Sequence, residues 1–173
     1  MNTKFKSGIN LFLYKFFPLF LLYTSVLNEL DLNYNSLKYF SFNFSYIVIF
    51  YFSLKRSESL GYFHIFIAGL FGDVVAGTPI GLTSLMYLTL CGAAAYLRNI
   101  TLRPSIIKDS IFFLITILII NSFFFIGLNF ALQYELNYLH QIINITLTFL
   151  LYFLFSNLFY FFEKNLLGSI NVR

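Results

Sequence analysis

The chain has 173 residues, of which 59% are hydrophobic, 22% aromatic and only 10% charged, with a formal net charge of +4. Soluble domains carry about 25% charged residues, and eleven basic and seven acidic side chains are too few to cover a solvated surface of this size. The composition therefore excludes a soluble enzyme, a disordered chain and a nucleic-acid-binding protein, and it indicates an integral membrane protein.

Charged residues divide the chain into six apolar segments, and each is a predicted transmembrane helix because about 20 apolar residues cross a bilayer. A signal peptide is the alternative for the first segment, but no small-residue cleavage site follows it, so we expect a retained helix. Five spans are the alternative if the short second segment lies in the membrane interface. The predicted spans of this single transmembrane domain, residues 1–173, are 9–27, 39–54, 61–76, 79–97, 110–132 and 138–162.

Orientation follows from the lysines and arginines, which concentrate in cytoplasmic loops. With the N-terminus inside, nine of the eleven basic residues fall on the inner side, Lys38 falls outside and Lys15 lies within the first span. The sequence therefore predicts that both termini are cytoplasmic. The nine inner residues are Lys4, Lys6, Lys55, Arg56, Arg98, Arg103, Lys108, Lys164 and Arg173, of which Lys55, Arg56, Arg98, Arg103 and Lys108 set the topology of the internal loops.

The junction of the third and fourth spans concentrates glycine, a proline and Asp73, the one acid predicted to lie inside the membrane. Gly77 is suited to the left-handed conformation that ends a helix. Thr78 is predicted to cap the next helix, with Pro79 at its first position. The segment is therefore predicted to be a tight hairpin at the outer face. Its site residues, each a candidate for partner binding or for a structural role, are Gly69, Asp73, Gly77, Pro79 and Gly81.

Asp73 has two compatible interpretations. In the first, it accepts hydrogen bonds from the free N–H groups at the start of the fourth helix. In the second, it lines a groove for a partner or ligand, since acids inside membranes are costly and often functional. Gly69 and Gly77 share its helical face and would let another backbone approach closely. The small residues Cys91–Ala95 of the fourth span are likewise predicted to permit close helix packing, within the chain or against a partner.

No nucleophile and base, no metal-ligand spacing and no phosphate-binding loop stands out in the sequence. We therefore expect a protein that is not an enzyme and that needs no cofactor or metal. An intramembrane acyltransferase or protease is the weakest interpretation, because a convergent nucleophile and base are missing.

The hairpin segment resembles the rod shape-determining protein MreD family of bacteria. The resemblance rests on the pattern Gly-Leu-x2-Asp-x3-Gly-x-Pro-x-Gly, and it extends to Arg56 before the third span, to the basic loop after the fourth, and to length and topology. The specific match covers about 15 residues. The matching positions are Gly69, Leu70, Asp73, Gly77, Pro79, Gly81 and Leu82.

The resemblance implies a non-enzymatic scaffold in the bacterial inner membrane that supports rod shape and peptidoglycan synthesis. It implies an MreC-like membrane-anchored protein as partner, together with MreB, RodA and its transpeptidase. It also implies a six-helix fold similar to the substrate-binding subunits of energy-coupling-factor transporters. The alternative is that the chain is itself such a vitamin-binding subunit, with Asp73 and His140 at the pocket.

Overall fold

The computed structural model describes residues 16–27, 42–101, 105–132 and 138–168, and every regular element in these ranges is an α-helix. The predicted all-α class is confirmed. The helices are α1 (Phe16–Leu27), α2 (Phe44–Lys55), α3 (Ser57–Leu60), α4 (Tyr62–Ala76), α5 (Leu82–Ile100), α6 (Ile106–Leu132) and α7 (Tyr138–Gly168). Several residues of the topology argument lie outside the described ranges, namely Lys4, Lys6, Lys15, Lys38, Arg103 and Arg173.

Apart from the single turn α3, each described helix overlaps one of the six predicted segments, but the ends differ. α6 begins at Ile106 rather than at residue 110, and α7 continues to Gly168 rather than to residue 162. The sequence prediction ended spans at charged residues, whereas a helix continues through charges that are stabilised in place. Asp109, for example, lies in the first turn of α6, where the helix dipole favours an acid.

Within the described residues, two helical segments are long and apolar enough to cross a membrane, Ile106–Gly127 with a mean hydropathy of 2.4 and Gln141–Lys164 with a mean hydropathy of 1.8. The described parts of the other four predicted spans form helices that fall short in length or in hydropathy. α2 has 12 residues and is therefore about 18 Å long, against about 30 Å for the hydrocarbon core of a bilayer.

α2 forms the centre of the bundle, because every side chain from Ser45 to Leu54 is buried. A helix that is apolar and buried on all sides is a core helix rather than an amphipathic surface helix. One ring pair to each of four surrounding helices has a centroid distance of 5.0 to 6.4 Å. These pairs are Phe52–Phe17 of α1, Tyr46–Tyr87 of α5, Phe50–Phe113 of α6 and Tyr51–Phe159 of α7.

The contacts at the ends of α2 show the directions of α1 and α7. The hydroxyl oxygens of Ser25, near the end of α1, and Ser45, near the start of α2, lie 2.9 Å apart, so these helices are antiparallel. The backbone N–H of Asn43 donates to Thr148 Oγ1 at 3.0 Å, and the Asn43 amide donates to Asn144 Oδ1 at 3.2 Å. Both polar contacts join the start of α2 to the first half of α7, so these two helices run parallel.

Ion pairs fasten the opposite end of α2 to α6 and α7. Lys55 Nζ lies 2.7 Å from Asp109 Oδ2, and Arg56 Nη1 lies 3.4 Å from Glu163 Oε1. The Tyr51 hydroxyl also donates to Glu163 Oε2 at 3.3 Å. Asp109 is 3% exposed, so the described residues contain a second buried acid besides Asp73, the acid that the sequence predicts inside the membrane.

All lysines and arginines in the described residues lie at this one end of the bundle. Arg98, in the last turn of α5, donates from Nη1 to the Ser53 carbonyl at 3.0 Å, so α5 runs parallel to α2. The opposite end carries the connection between α4 and α5, where Asp73 is the charged residue. The basic residues at the one end are Lys55, Arg56, Arg98, Lys108 and Lys164.

Replacing Asp109 with Asn leaves the Lys55 ammonium without its counter-charge. We expect the free energy of unfolding to fall by roughly 2 kcal/mol, less than for a fully buried pair, because Lys55 is partly exposed. The measurement is thermal unfolding in detergent. Unfolding exposes Cys91, the single, buried cysteine, and maleimide labelling of this residue reports the unfolded fraction. The double variant K55M/D109L removes both charges and should recover most of the stability. Glu58→Gln, which changes an exposed acid at the same end, is the control. Equal midpoints for D109N and E58Q would contradict this role of the pair.

Candidate functional site

Asp73 lies in the last turn of α4 with a side chain that is 1% exposed. Its carboxylate accepts three hydrogen bonds from the segment that follows. Oδ1 accepts from the Thr78 hydroxyl and from the Thr83 backbone N–H, each at 2.9 Å, and Oδ2 accepts from the Gly81 backbone N–H at 2.7 Å. One buried acid therefore holds both the turn and the start of the next helix.

The carboxylate caps α5 from the preceding helix. The first N–H groups of a helix have no partner within it, and the residue at the N-cap of α5, Gly81, has no side chain to supply one. Asp73 provides that acceptor, and its charge is favourable beside the positive end of the helix dipole. The structure thus contains the hydrogen bonds that the first interpretation of Asp73 predicts, from backbone N–H groups at the start of α5 to its carboxylate.

The turn between α4 and α5 is longer than the sequence predicted. Gly77 ends α4 in the left-handed conformation (φ 66°), as expected, but Gly81 is a second left-handed residue (φ 97°) and α5 begins only at Leu82. The prediction that Thr78 caps α5 with Pro79 at its first position is therefore wrong. The Thr78 hydroxyl donates to Asp73 rather than accepting from an N–H of α5, and the Pro79 carbonyl accepts from the N–H of Leu82 at 3.1 Å.

Gly69 brings the backbones of α4 and α5 into contact. A Cβ at this position would lie 2.6 Å from the Ser84 nitrogen and 2.8 Å from the Ser84 hydroxyl oxygen. Ser84 in turn donates to the Phe66 carbonyl at 3.0 Å. The predicted close approach thus occurs at Gly69, whereas a Cβ at Gly77 would have no neighbour within 4 Å.

The small-residue segment of α5 faces two ways. Cys91 and Ala94 are buried, and the Ser53 hydroxyl of α2 donates to Cys91 Sγ at 3.2 Å. Gly92 is exposed, and a Cβ there would meet nothing within 4 Å. Packing within the chain therefore accounts for Cys91 and Ala94, while Gly92 leaves an open notch on the outer side of α5.

Two charged residues that sequence reasoning did not select, Asp109 and Glu163, are partners of the topology-setting Lys55 and Arg56. The available signal was their location, since both acids belong to the predicted basic side of the topology. Arg98 contacts the end of α2, whereas Arg103 lies outside the described residues. Within the described ranges, no group of three or more His, Cys, Asp or Glu residues is arranged to hold a metal ion.

Comparison of the chain with protein-family models, with curated proteins and with solved structures finds no match. The roles of the hairpin residues follow from their own contacts and backbone geometry. Asp73, Gly69, Gly77 and Gly81 each have a defined role there, as hydrogen-bond acceptor, as close-approach site and as two left-handed positions.

We expect Asp73→Ala to destabilise the protein more than Asp73→Asn does. Asn retains an oxygen that accepts from Thr78 and Thr83, whereas Ala leaves the partly buried N–H groups of Gly81 and Thr83 without this acceptor, at about 1 kcal/mol each. Thermal unfolding in detergent compares the two, with Thr78→Val as the control that removes one donor only. Equal unfolding midpoints for all three variants would refute the capping role.

Gly69→Ala and Gly92→Ala form a matched pair of substitutions within helices. We expect Gly69→Ala to cost roughly 1–3 kcal/mol, because its methyl group collides with the Ser84 backbone. Gly92→Ala should be neutral or stabilising by up to about 1 kcal/mol, since the site is open and alanine favours a helix. The measurement is the thermal midpoint of each variant, and the opposite order would show that α4 and α5 do not pack as described.

Proposed function

We propose that the chain is a multi-pass membrane protein in which the six main helices form one transmembrane bundle. The strongest support is the number of apolar side chains that α6 and α7 expose on the surface of the bundle. Only 33% of Ile106–Gly127 and 22% of Gln141–Lys164 is buried, although both segments are strongly apolar. A core helix of a soluble protein would be largely buried, and soluble monomers rarely expose apolar patches of more than a few hundred Å². The exposed residues include Phe123, Ile126, Leu150 and Leu154.

The proposed orientation places the basic end in the cytoplasm and the Asp73 hairpin outside, in the bacterial inner membrane. All described lysines and arginines gather at one end, which is the asymmetry that orients membrane proteins. The short α2 fits this arrangement because protein surrounds it along its length. Neighbouring helices rather than lipid therefore surround the side chains from Ser45 to Leu54.

Within the membrane, we propose that the chain acts as a non-enzymatic scaffold of the cell-elongation machinery, as its resemblance to the MreD family implies. The observation that carries this proposal is the Asp73 hairpin. The residues of the resembling motif are used to fix α4 against α5 through hydrogen bonds and a backbone contact. A fixed helical surface is what a scaffold offers to partner helices.

The proposed partner is an MreC-like protein with a single membrane anchor, and the proposed contact is the outer side of α5. MreB, RodA and its transpeptidase would join the same assembly. Gly92 leaves a notch on this side, and glycine lets a second helix approach closely in a membrane. The notch lies on a row of exposed residues at helical spacing, formed by Leu85, Thr89, Gly92, Tyr96 and Asn99.

The geometry gives less support to the alternative of a vitamin-binding subunit. That function needs Asp73 to face a ligand, whereas its two oxygens accept three hydrogen bonds from the hairpin. The side chain of His140, the second residue of that interpretation, lies outside the described part of the chain.

Affinity capture in mild detergent tests the scaffold proposal. The tagged chain should retain the co-expressed MreC-like protein, and Gly92→Leu should reduce its recovery about tenfold. The thermal midpoint of the variant should not fall, because the notch is open and leucine favours a helix. Ala76→Leu, which introduces the same side chain at an exposed position of α4, is the matched control and should capture normally.

Two results would contradict the proposal. If the unmodified chain captures no MreC-like protein, or if a rod-shaped host keeps its shape when the protein is depleted, the chain is not a scaffold of this machinery. If Gly92→Leu and Ala76→Leu capture equally well, the partner does not bind the outer side of α5.

A further inference from the structure

A cavity of about 240 Å³ lies at the basic end of the bundle, between the end of α2, the start of α4 and the last turns of α5. It is several times larger than the roughly 30 Å³ that one water molecule occupies. Its lining combines apolar side chains with polar groups, and Arg98 is the one charged residue among them. The principal lining residues are Ser53, Leu60, Tyr62, Ile65, Ala95 and Arg98.

Arg98 differs from the other two cations beside the end of α2. Among the described residues, Lys55 and Arg56 each pair with a carboxylate, whereas Arg98 pairs with none. Its recorded hydrogen bond is the one from Nη1 to the Ser53 carbonyl at 3.0 Å. A guanidinium carries five N–H donors in a fixed plane. Arg98 thus brings a full positive charge and several remaining donors to the cavity.

This combination defines the chemistry of a ligand. Guanidinium groups bind phosphate through two parallel hydrogen bonds, which makes arginine the preferred residue for this anion. Leu60 and Ile65 are buried beside the cavity, and Tyr62 is exposed at its edge. A phosphate ester with an apolar portion matches both the cation and these walls better than a free, fully hydrated anion does.

We propose that the cavity at Arg98 binds a phosphate group carried by the headgroup of an anionic membrane lipid. The inference rests on the proposed membrane placement, which sets this end of the bundle in the cytoplasmic leaflet. Anionic lipids enrich that surface with negative charge, and basic pockets between transmembrane helices bind such headgroups. The lipid would then seal α2, α4 and α5 together at the end opposite the Asp73 hairpin.

Native mass spectrometry of the full chain, delipidated in mild detergent, tests the proposal by titration with phosphatidylglycerol. The unmodified protein should bind one lipid in preference to others, and Arg98→Gln should weaken that binding about tenfold, as the loss of a charge-assisted hydrogen bond predicts. Lys108→Gln is the matched control, because it removes an exposed charge at the same end outside the cavity and should bind normally.

A second variant separates the cavity from the charge. Ala95→Leu keeps Arg98 and adds three carbons to the cavity wall, so it should also weaken lipid binding. Each variant is checked by its unfolding midpoint without lipid, which identifies any loss that comes from misfolding. If Arg98→Gln and Lys108→Gln lower lipid binding equally, or if Ala95→Leu binds as the unmodified chain does, the proposed site is wrong.

Inorganic phosphate provides the remaining arm of the experiment. At millimolar concentration it should neither bind measurably nor displace phosphatidylglycerol. If phosphate alone binds and depends on Arg98, the cavity takes a free anion and the assignment to a lipid is overturned. The lipid titration contains no partner protein, so its failure leaves the scaffold proposal standing, and a failed capture of the MreC-like protein leaves the lipid site standing.

Discussion

The architecture of the α4–α5 pair depends on one carboxylate that accepts backbone hydrogen bonds across a turn. Asp73 ends one helix and caps the next, so the two helices keep a fixed separation at that end. The fixed separation permits the backbone contact at Gly69, and that contact sets α5 against α4. Because α5 also packs on the central α2, the hairpin positions both the outer notch at Gly92 and, at the far end, Arg98.

At the opposite end of the bundle, ion pairs rather than a turn connect the helices. The Lys55–Asp109 and Arg56–Glu163 pairs connect the last residues of α2 to α6 and α7. Partial burial makes such pairs costly to break on one side only. The bundle is thus fastened at one end by the Asp73 hairpin, which joins α4 to α5, and at the basic end by two ion pairs that join α2 to α6 and α7.

The sequence predicted features that depend on local patterns, and it missed those that depend on three-dimensional neighbours. Apolar segments located the helices, and the glycine at position 77 located the end of α4. The start of α5 was misplaced because Thr78 is used as a donor to Asp73, a choice that only the folded turn determines. The burial of Asp109 was equally hidden, because its partner Lys55 is 54 residues away along the chain.

The central claim is a membrane bundle with the Asp73 hairpin outside and the basic end inside, and cysteine labelling tests it most directly. In a Cys91→Ala background, Ile80→Cys marks the hairpin, where Ile80 is 80% exposed, and Lys108→Cys marks the basic end. A membrane-impermeant maleimide applied to cells with a permeabilised outer envelope should label I80C at once, and should label K108C only after lysis. Labelling of K108C in unlysed cells, with I80C protected until lysis, would contradict the account.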